Sequence, residues 1–351
     1  MFNKKISVFI VALMILTGMT SCGVENSLSE TLTTEKKGLT DTEKISIVCT
    51  IFPEYDWTKE IIGDHAENIE LTYLLDKGID LHSFQPTADD MMKISNCDLF
   101  IYVGGESDSW VDDIIDSANN KDMKVINLME TLGDSAKVEE LKEGMQESDH
   151  DNDEHDHHHD NECDEEHEHD DGEVEYDEHV WLSLKNAELL CVEIENRIAE
   201  IDPDNADDYK NNLDSYISEL SELDKQFKIL IDSSPEKTLV FGDRFPFRYF
   251  VDDYGLDYYA AFIGCSAESE ASFETISFLA DKVKELDCKT IYTLENSNKG
   301  IAESIIKTSG KDIKIAELNS LQSITKDDIK KGANYISLTQ KNYDVLSSSL
   351  K

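Results

Sequence analysis

Positive charge is scarce in this chain. Among 351 residues, 32 Lys and Arg stand against 76 Asp and Glu, for a formal net charge of -44. A polyanion is repelled at every phosphate, so nucleic acid is excluded as a partner and cations are the natural ligands. The sequence also has no H-E-x-x-H, no G-x-S-x-G and no phosphate-cradling glycine loop, so it offers no ground for an enzyme. None of its seven cysteines, at 22, 49, 97, 163, 191, 265 and 288, forms a C-x-x-C pair. Several lie in apolar runs, where a buried free thiol is the natural reading. Histidine is absent after His179. Any metal ligand from the second half must therefore be a carboxylate, an amide, a thiol or water.

Long apolar runs are missing too. The longest near the start, residues 6–16, follows the basic residues Lys4 and Lys5 and is too short to be a membrane span. Small residues then precede Cys22, as in a bacterial lipoprotein signal. We expect a signal segment over 1–22, acylation of Cys22, and a polar tether over 23–44 that holds the protein outside the membrane by its lipid.

What is abundant is histidine among acids. Between residues 147 and 176, His150, His155, His157, His158, His159, His167 and His169 are embedded in a near-continuous series of Asp and Glu. Imidazole and carboxylate are ligands for borderline divalent metals, so this insert, placed at 135–176, reads as a disordered, many-site metal collector. It ends at an apolar Val-Trp-Leu segment headed by His179, which belongs to folded structure.

Outside the insert, strand-like runs at 45–50, 68–75, 99–103 and 125–128 alternate with helical stretches at 55–62, from Thr87 onward and at 106–118. That alternation implies βαβ units and a parallel sheet. Apolar residues then repeat at helical spacing through Leu184, Ala187, Cys191, Ile194 and Ile198. After a break at Pro203 the repeat resumes through Tyr209, Leu213, Tyr216, Leu220, Leu223, Phe227 and Ile231. A second series of strands follows at 238–241, 256–262, 290–294 and 313–316, with helices at 273–286, 299–308 and 335–349. The expected fold is α/β: two Rossmann-like lobes with parallel sheets, residues 45–182 and 235–351, joined through helices at 183–234 of which one is a long spine. The metal site is expected in the cleft between the lobes, where the carboxyl ends of the strands collect ligands.

Two loops carry metal-ligand chemistry: G-I-D-L-H-S-F-Q-P-T at 78–87, with His82, and D-E-H-V-W-L at 177–182, with His179. Together with the His-rich insert, the Asp202-Pro203 break before a long helix, Phe247-Arg248-Tyr249-Phe250 followed by Tyr254-Gly255-Leu256, and Tyr335-Ile336-Ser337-Leu338, these resemble the metal-binding lipoproteins of bacterial ABC importers for zinc and manganese. The resemblance spans residues 45–351 and falls on the zinc-uptake branch of the cluster A-I solute-binding proteins. It implies the same two-lobed fold, with His82 and His179 as ligands from the first lobe. It also implies Zn2+ as the cargo, with Mn2+ as the alternative, and a monomer that delivers the ion to an ABC permease and its ATPase. A surface metal buffer or adhesin without a transport role is the other reading.

The second lobe departs from that pattern. The slot in which the family supplies a His or Glu falls at Gly242-Asp243-Arg244; Arg244 cannot ligate, which leaves Asp243 as the nearest candidate. The late carboxylate position falls in a stretch holding Asn319 and Gln322. Glu268, Glu295, Cys265, Glu270, Glu106 and Asp108 are the other acceptors that could complete a site.

Overall fold

The computed structural model describes residues 44–146, 175–266 and 270–350. Cys22, the seven histidines of the insert and Glu268 lie outside them.

The first sheet is formed by β1 (Ile45–Cys49), β2 (Ile69–Tyr73), β3 (Leu99–Tyr102) and β4 (Lys124–Asn127), all parallel, in the order β2-β1-β3-β4. Ile47, Val48, Cys49, Leu99, Phe100 and Ile101 are fully buried. Near-continuous apolar strands are what a sheet covered by helices on both faces requires. The covering helices are α1 (Phe52–Ile62), α2 (Ala88–Asn96), α3 (Val111–Ser117) and the short α4 (Leu128–Leu132).

Two of these helices differ from expectation for local reasons. α1 begins three residues early because Pro53 occupies its first turn, where a missing N–H costs nothing, and because the Glu54 carboxylate accepts the Thr50 and Ile51 amides. The stretch at 106–118 is not one helix. A 3-10 turn over Glu106–Asp108 precedes α3, because Asp108 turns back to accept the Gly104 amide at 3.0 Å while the Trp110 indole donates to the Ser107 carbonyl.

Then α5 (Leu184–Ile201) leads through a 3-10 turn at Pro203–Asn205 into α6 (Ala206–Ser233). The buried residues of α6 are Tyr209, Leu213, Tyr216, Leu220, Leu223, Phe227 and Ile231, the same seven that the periodicity picks out. Its 28 residues span roughly 42 Å at about 1.5 Å per residue. α6 packs on α5 and α1 of the first lobe and on α7 (Arg248–Tyr254) and α11 (Tyr335–Ser349) of the second.

The second lobe repeats the first topology, with its first two strand lines broken into short pieces. β5 (Thr238–Val240) pairs in parallel with β7 (Asp257–Tyr259), and β6 (Arg244–Phe245) with β8 (Phe262–Ile263). β9 (Thr290–Leu294) pairs with β10 (Lys314–Leu318), and a parallel Phe241–Tyr292 bridge joins the β5 line to β9. The four lines thus run second, first, third, fourth, as in the first lobe. The single strand expected at 256–262 is split at Ala260-Ala261, where the Ala261 amide donates to the Asp243 carbonyl. α8 (Phe273–Glu285), α9 (Gly300–Ser309) and α10 (Lys326–Lys330) complete the lobe.

The two lobes share one core. Ile47 and Phe100 of the first sheet, Leu220 and Phe227 of α6, and Phe241 and Tyr292 of the second sheet belong to the same apolar cluster. Polar links cross the junction as well. The Tyr335 amide at the start of α11 donates to Asp56 on α1 at 2.7 Å, and the Tyr73 hydroxyl donates to the Ile324 carbonyl at 2.8 Å.

Burial pushes the Asp56 carboxyl up to about 6, against the opposing hydrogen bond from Tyr335. A carboxyl whose pKa is raised in the fold adds stability only while protonated. That contribution is complete below the unfolded pKa of about 4 and is lost as pH rises through about 6, a difference of about 2–3 kcal/mol. Asp56→Asn keeps an acceptor for the Tyr335 amide and cannot ionise. Urea midpoints between pH 4 and 8 should therefore fall less with rising pH in the variant than in the wild type. Parallel profiles would rule out this role.

Residues 135–146 and 175–176, placed by sequence in a disordered insert, are packed against the second lobe. Val138 bridges Tyr176 and the Gln146 amide donates to the Ala261 carbonyl. The Lys137 amide donates to the Tyr249 hydroxyl, and Met145 is buried. The contacts to Ala261 and Tyr249 reach more than a hundred positions along the chain, so local composition gives little sign of them.

Candidate metal centre

His82 sits in a 3-10 turn, Leu81–Ser83, beyond the end of β2. Asp80 caps the turn, accepting the His82 amide at 3.1 Å. His179 heads another, Val180–Leu182, and is fully buried. Its segment comes from the first lobe and is held by the second. The Tyr249 hydroxyl donates to the Asp177 carbonyl at 2.8 Å, the Trp181 indole to the Ser320 carbonyl at 2.9 Å, and the Tyr335 hydroxyl to the Trp181 carbonyl at 2.7 Å. These bonds place His179 at the junction of the lobes.

There the two imidazoles face each other, with Nε2 of His82 3.3 Å from Nε2 of His179. Each ring is oriented from behind. Nδ1 of His179 lies 2.9 Å from Asp177 Oδ1. Nδ1 of His82 lies 2.8 Å from Ser107 Oγ and 3.4 Å from Glu178 Oε2. With Nδ1–H directed to these oxygens, we assign a lone pair to each Nε2, and two lone pairs point at one another. Such a pair repels unless a cation lies between them. Two nitrogens each about 2.0–2.1 Å from one tetrahedral zinc ion are roughly 3.3 Å apart, which is the separation found. Adjacent acids, Asp177 and Glu178, thus serve the two rings in the carboxylate–histidine pattern that fixes tautomer and raises ligand basicity.

The local field is anionic. Burial tends to lower the His179 pKa, but Asp177, with Glu178 and Asp80 adding to it, outweighs burial and the net shift is upward. Burial works to raise the Glu178 carboxyl, but hydrogen bonding and charge from His82 and the Ser107 amide hold it below the ordinary range. Asp80 is lowered as well. Burial is again opposed, here by the Arg244 guanidinium, whose Nη2 is 2.9 Å from Asp80 Oδ2, and by His82. Glu139 is half-buried, and desolvation together with the nearby Asp177 charge pushes its carboxyl up to about 7.

A third donor joins the histidines. One ligand atom each from His82, His179 and Cys265 lie within 4.8 Å of one another, the only such metal-ligand group of His, Cys, Asp and Glu among the described residues. Cys265 follows Gly264, where a Cβ would stand 2.9 Å from His179 Cε1 and 3.0 Å from the Phe245 carbonyl oxygen, so the bare glycine lets this loop approach the ring. The Cys265 amide donates to Glu139 at 3.3 Å. Arg244 links the loops from both lobes, reaching Asp80 with Nη2 and the Ser266 carbonyl with Nη1 at 3.3 Å.

The other sequence candidates are placed elsewhere. Asp243 accepts the Arg244 amide at 2.9 Å and the Leu294 amide at 3.1 Å, so it organises strand ends and is not in the histidine group. Glu295 is engaged by the Ser320 amide at 2.8 Å and hydroxyl at 2.7 Å. Asp108 is tied to Gly104, and Glu106 and Glu270 are exposed. Arg244 pairs with Asp80 across the junction of the lobes. Asn319 braces its own loop by accepting the Leu321 amide, while Gln322 is buried with Oε1 unpartnered. Sequence reading passed over Glu178, Ser107, Asp80 and Glu139. Only Glu178 had a visible signal, its place between Asp177 and His179.

Residues 47–349 match the family model described as "Zinc-uptake complex component A periplasmic". The chain belongs to this zinc-uptake family. The zinc-binding lipoprotein AdcA of Streptococcus pneumoniae is 32% identical over 306 residues, covering 87% of this chain and 56% of that protein. The high-affinity zinc uptake system protein ZnuA of Bacillus subtilis is 29% identical over 350 residues, covering 100% of this chain and 99% of the relative. The chain spans about half the length of the AdcA relatives. Among solved structures, the Zn(II)-bound ZnuA-like domain of S. pneumoniae AdcA superimposes with a TM-score of 0.65 at 29% identity, over 88% of this chain and 99% of that one. The metal-dependent lipoprotein YcdH of B. subtilis gives 0.68 at 26% identity, over 88% and 99%. The α/β fold with parallel sheets and a long helix is therefore the family fold.

Asp177→Asn tests the support behind His179. It keeps the shape and removes the charge, and zinc affinity is expected to fall about 10–100-fold, as for other partners behind metal-bound histidines. Competition titration against a chelator reads the change. An unchanged affinity would mean that Asp177 does not act through His179.

Proposed function

We propose that this protein is the extracytoplasmic binding component of a zinc ABC importer: it captures one zinc ion between the lobes and delivers it to a membrane permease driven by its ATPase. The observation that carries this reading is the pair of Nε2 atoms 3.3 Å apart, each ring backed by an acid. The relatives' names, zinc-binding and zinc uptake, point the same way. Capture without turnover suits a buried site, since a catalytic metal needs an open position where substrate and water meet. Acylation at Cys22 would hold the protein at the membrane surface, beside the permease. Among the described residues no helix is long and apolar enough to cross a membrane.

Release needs the junction to loosen. The shared core and spine α6 favour a small movement of the loops bearing His82 and Cys265 over a wide opening of the lobes. The donors that converge all come from one chain, so no second copy is needed. The histidines of the insert would raise the local zinc concentration without forming the tight site.

The test is transport. Membrane vesicles carrying the cognate permease and ATPase should take up radiozinc only when this protein is present. Zinc binding without any stimulation of uptake would leave the metal-buffer or adhesin reading in its place.

A further inference from the structure

We propose that the thiol of Cys265 is the third ligand of this site, supplying from the second lobe the donor that Arg244 cannot, and that it sets a preference for zinc over manganese. The inference rests on the capture site proposed above and deepens it.

Three observations converge. Cys265 is a free cysteine, and it alone among Cys, Asp and Glu of the described residues brings a ligand atom into the histidine group. Its loop is built for that approach: Gly264 leaves room against the His179 ring, and the Cys265 amide is fixed on Glu139. Finally, Arg244 stands where a ligand is expected, but its guanidinium bonds Asp80 beside His82 and the Ser266 carbonyl beside Cys265. It therefore positions the loops of two donors while giving none itself.

The chemistry follows from the donor set. On binding, the Cys265 S–H bond breaks, its proton passes to solvent, and the sulfur electron pair forms the bond to the metal; no oxidant or reductant takes part. Thiolate is a soft ligand that suits zinc, whereas manganese prefers carboxylate and water oxygens. The two imidazoles already lean toward zinc over manganese. Adding sulfur turns the site further toward zinc.

Cobalt(II) is the probe, because thiolate bound to it gives a charge-transfer band in the near ultraviolet. The full chain, Cys265→Ser and Cys163→Ser are titrated with cobalt, then with zinc and manganese in competition. The expected result is a charge-transfer band in the wild type and Cys163→Ser that is lost in Cys265→Ser, with the zinc-over-manganese preference reduced about a hundredfold in that variant alone. Tight cobalt binding with no such band, or a band that survives Cys265→Ser, overturns the thiol ligand and leaves the capture site standing. If cobalt and zinc bind only weakly to the wild type, the capture site itself fails. Circular dichroism of Cys265→Ser establishes that it is folded, and Cys265→Ala repeats the comparison if it is not.

Discussion

Alanine at His82 or His179 is expected to abolish tight zinc binding, while removal of the histidine-rich segment is not. The protein to use lacks residues 147–174, bridged by a short glycine-serine linker between Gln146 and Glu175, so that weak sites do not mask the tight one. Each imidazole supplies one of few donors. By comparison with structural zinc sites, losing one ligand should weaken binding on the order of a thousandfold. His179→Ala carries a second effect, since it leaves the buried Asp177 without its ring partner. Its loss should be at least as large as that of His82→Ala. One tight equivalent in the shortened protein, absent from both variants, is the expected isotherm. If tight binding instead disappears with the segment and ignores both substitutions, the junction does not hold the metal.

The second large effect is on stability. Phe227 is fully buried near the end of α6. It meets Phe250 edge-on at 5.1 Å, Tyr254 stacked at 5.6 Å and Tyr343 edge-on at 5.4 Å. These partners come from α7 and α11, so the ring ties the spine to the second lobe. Phe227→Ala should cost about 3–5 kcal/mol through lost burial and the cavity left behind, with some of that from the aromatic pairs. Urea unfolding of the metal-free protein measures it. A cost under about 1 kcal/mol would mean that the lobe is held chiefly by other contacts. Zinc added in excess should recover part of the loss, because a ligand that binds only the folded state raises its apparent stability.

Both predictions bear on how rigid the junction is. The sequence pattern suggests two lobes around a cleft, yet here one apolar cluster runs through both sheets and the spine. His179 is closed over completely, and its segment is gripped by Tyr249, Ser320 and Tyr335 of the second lobe. The less buried side, where His82 and Cys265 lie on loops, is therefore the side by which the proposed site would exchange its ion.

Much of this was legible in the chain before folding was considered. The seven apolar positions of α6 repeat at helical spacing, and all seven are buried, because one long amphipathic stripe has a single way to satisfy itself. The parallel sheets follow from alternating apolar runs and helices. His82 and His179 could be picked out because each lies in a loop just ahead of a helix and outside any apolar periodicity. The excess of acid fixed the sign of the ligand.

Tertiary structure alone decided the remainder of the site. Asp243 adjoins an expected position and Glu295 ends a strand, but backbone amides and Ser320 claim their oxygens, and nothing local in the sequence records that. Cys265 had no better claim than several acids until its loop was placed against the His179 ring. Glu178 reaches the Ser107 amide 71 positions away and Asp80 reaches Arg244 164 positions away. Periodicity and caps are written within a few residues, so sequence determines the elements and the sign of the charge. A metal site is a meeting of lone pairs brought together from both lobes within a few ångströms, and only the packed chain sets those distances.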